Sequence, residues 1–324
     1  PWLTPFNIIS IPVIITGLVI LYFRFRYGLG AVTNLSQETA WGFWLGFDVI
    51  TGVALAGGAY VITFVVYVMK VEKYQSIVRI TVLNGFLAYM FYGGALLLEI
   101  GRPWNAFNPI IGNNFGFASV LFLITWHFMI YMVAAFIEFS PAIAEWLGWE
   151  KVRKILKSLT LSAVILGVTL SILHQSGLGA LFLIAKPKIH PLWWSEFMPI
   201  LFFVSSIYAG LSMIIAEGTI SHRVFKALIP ADSHYSFDDI VLVLAKGAAM
   251  TMFVYYFFKA LLFIHGKQWC LITDAWGLWY LVEVIGFVLV PALMYAFGFK
   301  HRSINIIRVA SVLALLGIVP VSYT

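Results

Sequence analysis

The sequence predicts an all-α, polytopic membrane protein, and three observations carry that prediction. Of the 324 residues, 62% are hydrophobic and only 10% are charged, whereas roughly a quarter of the residues in an ordinary soluble domain are charged. The mean hydropathy is +0.95. The apolar residues form long continuous runs and do not alternate with polar ones over about ten residues, which favours spanning helices over barrel strands.

Nine apolar runs predict nine membrane-spanning helices in a single integral membrane unit, residues 1–324. Each run is close to the length of about 20 residues that crosses a hydrocarbon core about 30 Å thick. The runs cover residues 5–24, 43–69, 77–99, 116–139, 158–178, 197–217, 240–265, 275–299 and 304–320.

The distribution of basic residues predicts the orientation. The loops and helix ends that follow the even-numbered spans carry twelve Lys and Arg residues, against six on the opposite side. Cytoplasmic loops are the more basic ones in polytopic proteins, so the N-terminus and the even-numbered loops are expected in the cytoplasm. Anionic lipid headgroups on that side account for a net charge of +6, and no nucleic acid partner is needed to explain it.

Polar residues from three spans are predicted to converge near the outer surface. Asp48 lies near the outer start of the second span, Glu99 ends the third, and His174 and Gln175 lie about 5 Å below the predicted outer end of the fifth. An ionisable group in hydrocarbon costs at least about 2.5–3.5 kcal/mol, which favours a functional role. The structural alternatives are a hydrogen bond within the bundle for Asp48, simple solvation for Glu99 and helix capping near Gly177 for His174.

Other residues border this predicted cluster. Arg102, beside Trp104, is either an interfacial anchor or a counter-ion for the two carboxylates. Trp44 belongs to the aromatic belt expected at a membrane surface. Gly57 and Gly58 permit close approach either of a neighbouring helix, which is the commoner use, or of a flat ring.

Four polar residues lie deeper in the predicted spans. His127 and Glu138 form a candidate proton path from the inner side, although a histidine bonded to a carbonyl group and a snorkelling glutamate explain them equally well. Lys259 and Glu283 fall at similar depths on adjacent spans. Their simplest interpretation is a buried ion pair.

The cysteine and histidine positions predict that this chain holds neither a metal nor a haem. A single cysteine, Cys270, cannot supply the thiolates of an iron–sulfur cluster. Bis-histidine haem ligation needs two imidazoles at one depth on facing helices, whereas the predicted spans place His127 about 16 Å and His174 about 5 Å below the outer surface. Any cluster is therefore expected on a partner.

Five motifs carry a resemblance that covers nearly the whole chain in the same order. They are WGFWLGFDVITGVALAGGAY at 41–60, EIGRPWN at 99–105, EFSPA at 138–142, LHQSGLGALFLIAKPKIHPLWW at 173–194 and IIAEG at 214–218. In these motifs the chain resembles the NrfD and polysulfide-reductase membrane-subunit family, in particular the branch that contains the membrane subunit of hydrogenase-2. HQSxxG followed by HPLW is a specific signature, whereas the glycine-rich patch alone is weak.

The resemblance implies a fold, a function and partners. It implies two four-helix bundles, residues 41–178 with the quinone site and residues 197–320, with a flanking helix in residues 1–40. Relatives in this branch generally have ten spans, so a further helix is expected beyond VSYT. The implied function is that of a haem-free subunit in a prokaryotic cytoplasmic membrane, exchanging electrons between a ferredoxin-like iron–sulfur subunit on the outer face and menaquinone. A hydrogenase, a multihaem cytochrome or a sulfur-metabolism enzyme would complete the complex.

The matching motifs place quinone-site roles on particular residues. The implied catalytic residues are His174, Asp48 and Glu99. The implied quinone-binding residues are Arg102, Trp104, His174 and, as a lesser candidate, Gln175. Beside them, Trp44, Trp104, Gly57 and Gly58 are expected to shape an apolar slot for the quinone ring and its tail. The chain departs from the family at Leu123, where some relatives carry an acid, and His127 matches no motif position, so the proton path of a relative does not transfer directly.

Two functions of other classes are alternatives. An ion or solute carrier is favoured by polar residues in both apparent bundles, since transporters place charges at repeat interfaces. Against it, the spans contain few helix-breaking residues and the main polar cluster is expected at one face. A purely structural membrane anchor of a redox complex would leave Asp48 unexplained.

Overall fold

The chain folds as a bundle of long helices. The computed structural model describes residues 4–36, 42, 46–112, 116–224 and 236–323. In those ranges the long helices are α1 (Pro5–Tyr27), α2 (Phe47–Val68), α3 (Gln75–Glu99), α4 (Val120–Trp146), α5 (Glu150–Leu183), α6 (Met198–Val224), α7 (Phe237–His265), α8 (Ala275–Lys300) and α9 (Ile304–Tyr323). Eight of them are long and apolar enough to cross a membrane, and α9 contains a shorter apolar stretch. The predicted fold class, a polytopic all-α membrane protein, is therefore confirmed.

Ordinary capping residues start and stop α1. The side chain of Thr4 accepts a hydrogen bond from the amide of Asn7, and Pro5 occupies the first helical position, where its missing N–H costs nothing. Gly28 ends the helix with φ of +91°, a conformation that glycine adopts without strain. Most apolar side chains of α1 are exposed, as expected for a helix that faces lipid.

Helix α5 is longer than the sequence predicts. We expect a span over residues 158–178, but the helix runs for 34 residues from Glu150 to Leu183. It continues through Gly179, where a β-carbon would lie 2.6 Å from the carbonyl oxygen of Met198; this glycine allows close packing and does not end the helix. His174 consequently lies nine residues before the end of α5, about 13.5 Å. The predicted end of this span at residue 178 is therefore five residues too early.

Two spans contain π-helical turns. In α2 they cover Phe47–Gly52 and Phe64–Val68, and in α8 the turn covers Val282–Leu289. Such turns insert an extra residue into a helix and occur frequently at functional sites. The first of them carries Asp48 and the last carries Glu283.

We call α2 to α5 the first helix group and α6 to α9 the second. Helix α6 packs against both α5 and α2 of the first group, and its crossing with α2 is the closest in backbone terms. A β-carbon on Gly57 would lie 2.6 Å from the carbonyl oxygen of Ser206, and one on Gly58 would lie 2.6 Å from that of Gly210. The hydroxyl of Tyr60 adds a 2.7 Å hydrogen bond to Ser206. Small residues thus let the two backbones touch, as in many membrane helix pairs.

Candidate functional site

Two carboxyl groups meet at one end of the first helix group, the end that the charge distribution predicts to face outward and that we call the outer end. Asp48, 8% exposed, lies in the π-helical first turn of α2, and Glu99 is the last residue of α3. The two side chains lie close enough to interact. Because an ionised carboxylate has no hydrogen to donate, they can form a hydrogen bond to each other only when one of them carries a proton. Oε2 of Glu99 is buried and has no hydrogen-bond partner in the part of the chain that the structure describes, so it can bind a ligand.

Arg24 of α1 holds the end of α3 in place. Its side chain is 4% exposed, and its Nε and Nη2 atoms donate to the carbonyl oxygens of Leu98 and Ile100, both at 2.5 Å. The last carbonyl groups of a helix have no partners within the helix, and a cation is favourable there. Arg24 therefore fixes the backbone on both sides of Glu99.

A cleft of about 640 Å³ lies between α3 and α6, with α2 as its floor. On α3 it extends from Ile77 to Tyr92, fifteen residues or about 22 Å. Its lining is mostly apolar. Near the middle, Nδ2 of Asn84 donates a hydrogen bond to Oε1 of Glu217 and so connects α3 to α6. His222 lines the inner end, stacked on Phe237.

Tyr92 connects the cleft to the carboxyl pair. Its ring lines the outer end of the cleft and packs so tightly on Gly52 that a β-carbon there would overlap it. Its hydroxyl lies close enough to Asp48 for the two groups to interact electrostatically. An elongated apolar molecule in the cleft would therefore contact Tyr92 at its outer end, the residue that interacts with Asp48.

His174 lies deeper in the same helix group. It is 4% exposed, and its ring packs against Tyr89 and Phe128 with centroid distances of 6.0 and 6.1 Å. Nδ1 lies 3.3 Å from the carbonyl oxygen of Ile124. If Nδ1 donates its hydrogen to that carbonyl group, Nε2 is left as a proton acceptor.

Gln175 links this histidine region to the helix that carries Asp48. Its Nε2 atom donates a 2.8 Å hydrogen bond to the carbonyl oxygen of Val53, directly after the first π-helical turn. Its side chain also bonds to Tyr89, whose hydroxyl lies 3.4 Å from Ser171. The two polar regions are thus connected through the start of α2.

Other predicted site residues lie outside these contacts. Arg102 is exposed and makes no ion pair with either carboxyl group, which fits the interfacial anchor better than the counter-ion. Trp104 is 68% exposed on the outer surface. Gly57 and Gly58 pack against α6, and Gly58 also lines the cleft. Trp44 lies outside the described residues.

The inner candidates His127 and Glu138 are joined less directly than expected. Nδ1 of His127 and Oε1 of Glu138 are both buried without a partner in the described residues. Glu138 lines a small cavity of about 10 Å³ together with Tyr131, whose ring lies 4.4 Å from that of Tyr89. Tyr131 and Tyr89, which the sequence analysis did not single out, form a chain of neighbouring side chains between Glu138 and His174.

A comparison with family models identifies the family. Residues 31–324 match the model described as Polysulphide reductase, NrfD. The chain belongs to the NrfD family. The predicted family resemblance is thereby confirmed.

Individual relatives match over most or part of this NrfD-family chain. A protein of Nitratidesulfovibrio vulgaris Hildenborough is 41% identical over 98% of this chain and 81% of its own length. The probable Ni/Fe-hydrogenase 2 b-type cytochrome subunit of Escherichia coli K12 is 28% identical over 96% of this chain and 80% of its own length. The integral membrane subunit of menaquinone reductase from N. vulgaris is 29% identical over 59% of this chain and 48% of its own length.

The name b-type cytochrome raises the question of whether haem fits here. His174 lies about 13.5 Å and His127 about 10.5 Å from the outer ends of their helices, so the position along the helix does not by itself separate the two histidines. The packing is the better criterion. An axial ligand must face a macrocycle much larger than its own ring, but His174 is enclosed by Tyr89, Phe128 and Ile124. These residues do not fit a haem.

Proposed function

We propose that this chain is the quinone-reactive membrane subunit of a respiratory redox complex. In this proposal an iron–sulfur partner on the outer face exchanges electrons with menaquinone bound in this chain. Family membership and the menaquinone reductase relative support the reaction class. The observation that carries the proposal is the meeting of the Asp48 and Glu99 carboxyl groups, with Oε2 of Glu99 buried and without a partner in the described residues, near Tyr92 at the end of the apolar cleft.

The carboxyl pair suits the protonation chemistry of a quinone. Reduction adds two electrons and two protons to the ring, and oxidation of the quinol removes them. In the proposed site a proton on Oε2 of Glu99 bonds one oxygen of the quinone and is the first to be transferred, after which Asp48 passes a proton to the Glu99 carboxylate; in quinol oxidation Oε2 accepts the proton of the quinol hydroxyl. His174, which the neighbouring Gln175 connects to α2, supplies or accepts the second proton from below.

The cleft suits the remainder of a menaquinone molecule. A volume of about 640 Å³ is within the ordinary range of small-molecule sites, which are mostly apolar with few polar groups. We propose that the isoprenoid tail lies along α3, with Tyr92 at the junction of the ring and the tail. Gly58 would then contribute to the tail pocket, in addition to its contact with α6.

The outer surface suits a docked partner. Trp104, Ile111 and Phe117 are 68%, 75% and 72% exposed in the outer segment between α3 and α4. Exposed aromatic residues grouped at one end of a protein are typical of interaction surfaces. A cluster in a protein bound there would be close to the carboxyl pair. The partner enzyme itself, whether a hydrogenase, a multihaem cytochrome or a sulfur-metabolism enzyme, is specified by other subunits.

The test compares E99Q and H174A in the complex isolated through a tag on this chain. Both variants should lose more than about tenfold of quinone-coupled turnover, about 1.4 kcal/mol or more of transition-state stabilisation. The partner's activity with an artificial dye should stay unchanged, because it bypasses this chain. E196Q, an exposed acid of the outer loop, is the matched control. Full quinone-coupled turnover in both E99Q and H174A would overturn the proposal.

The carrier alternative rests on one feature, the buried charges of Lys259 and Glu283 in the second helix group. Ion or solute flux in liposomes that contain this chain without a redox partner would favour the carrier. The quinone proposal predicts no such flux.

A further inference from the structure

Glu283 is a fully buried carboxyl group that the proposed quinone site does not use. Its side chain is 0% exposed and lies in the π-helical turn of α8. Oε2 accepts a 2.7 Å hydrogen bond from the indole Nε1 of Trp193. Oε1 is buried and has no partner in the described part of the chain. A buried oxygen without a partner is costly if the group is charged, so Oε1 requires a proton or a ligand.

The expected ion pair between Glu283 and Lys259 is not formed. Lys259 is 4% exposed on α7, and the two groups interact electrostatically without the contact of an ion pair. The ammonium group lies over the rings of Tyr280 and Tyr255, 5.3 and 6.0 Å from their centroids. Aromatic faces stabilise a cation in a dry environment, so Lys259 has a site of its own and does not depend on a charged Glu283.

The groups that face Glu283 come from four elements. They are Tyr208 on α6, Tyr255 and Lys259 on α7, Tyr280 on α8 and Trp193 in the loop between α5 and α6. Trp193 also packs edge-on against His190 and Trp276, at 5.5 and 6.2 Å. The buried carboxyl is thereby connected to the outer surface through the HPLWW segment.

We propose that Glu283 and Lys259 form a second proton-binding centre, in the second helix group and separate from the carboxyl pair of Asp48 and Glu99. The carboxylate of Glu283 takes up one proton on Oε1 from the outer side and becomes a neutral acid. The positive charge of Lys259 then remains over the two tyrosine rings. Trp193 keeps its hydrogen bond to Oε2 in both states, and this bond is stronger when the acceptor is charged. The centre would exist even if quinone bound elsewhere, so its test is independent of the proposed function.

Infrared difference spectroscopy of the purified full-length protein tests this proposal. A jump from about pH 9 to about pH 5, a range in which ordinary solvated carboxyl groups stay ionised, should produce the C=O band of a protonated, dehydrated acid. One component of this band should disappear in E283Q, while the components of other acids with a buried oxygen, such as Glu99 and Glu138, remain. The whole band should persist in E196Q, the exposed control. Wild-type and E283Q spectra that are the same over this range would overturn the proposal.

A second variant covers the case in which E283Q does not assemble. W193F removes the hydrogen-bond donor and keeps an aromatic ring in place. If Glu283 is the source of one component of the band, W193F shifts the frequency of that component, because the neighbouring oxygen has lost its hydrogen bond. A band with the same component frequencies in W193F and wild-type protein would assign it to other carboxyl groups and overturn the proposal.

Discussion

At the scale of single residues, Glu99 is positioned by two neighbours of opposite charge type. Asp48 interacts with its side chain, and Arg24 bonds to the carbonyl groups of Leu98 and Ile100 on either side of it. The contact with Asp48 influences whether the Glu99 side chain carries a proton, and the contacts with Arg24 fix the backbone on either side of Glu99. Neither contact is apparent from local sequence, because Arg24 and Asp48 lie on other helices.

The substitution R24M should uncouple these two contributions. It removes two charge-assisted hydrogen bonds, each worth about 1.5–3 kcal/mol, and leaves the carboxyl pair chemically intact. We expect a higher KM for quinone and a lower unfolding midpoint, with partial rescue of KM in R24K. R26M on the same helix, an exposed arginine, should behave like wild type. A wild-type KM in R24M would show that the end of α3 needs no such support.

The sequence predicted some of these residues and not others, for identifiable reasons. Asp48 and Glu99 interrupt apolar runs, so their unusual positions are visible in the sequence, and the structure brings them together. The end of α5 was predicted too early, near Gly177, whereas Gly177 and Gly179 both face neighbouring helices and the helix continues past them. Tyr89 and Tyr131 were missed since aromatic residues are common in every span, and only packing distinguishes them.

At the scale of the helices, the crossing of α2 and α6 positions the site. Because α2 contains π-helical turns, its residues do not follow a regular 3.6-residue period. The residues of α2 that contact α6 therefore cannot be predicted from that period alone. Gly58 and Gly210 lie at the crossing, where backbone meets backbone. This close backbone contact fixes the positions of Asp48 and of the α2 side of the cleft relative to the second helix group.

G210A should therefore destabilise the protein. A β-carbon at this position would lie 1.9 Å from the backbone nitrogen of Gly58, and backbone cannot move aside as a flexible side chain can. Overpacking of this kind costs about 1–3 kcal/mol, so the unfolding midpoint in detergent should fall by several degrees. The matched control is G94A on α3, where a β-carbon meets nothing within 4 Å. Equal midpoints for the two variants would contradict the close crossing.

At the scale of the whole molecule, α2 packs closely on α6, whereas α3 stays apart from α6. The contact between α2 and α6 joins the two helix groups. The gap between α3 and α6 forms the cleft, which the hydrogen bond from Asn84 to Glu217 crosses. The spans and the fold class followed from composition and run length alone. The cleft did not, because a cavity depends on which helix faces remain apart after packing.

If the proposed function is correct, filling the cleft should weaken the binding of the quinone's isoprenoid tail and leave the binding of its ring unchanged. In A88W a large ring should occupy the cleft below Tyr92. The KM for a long-tailed menaquinone should then rise by about tenfold, about 1.4 kcal/mol, while the KM for a tail-less naphthoquinone changes by less than about twofold. L97W, an exposed position on the same helix, is the control. Equal increases for both quinones would place the damage at the ring site, and no increase for either would place the tail outside the cleft.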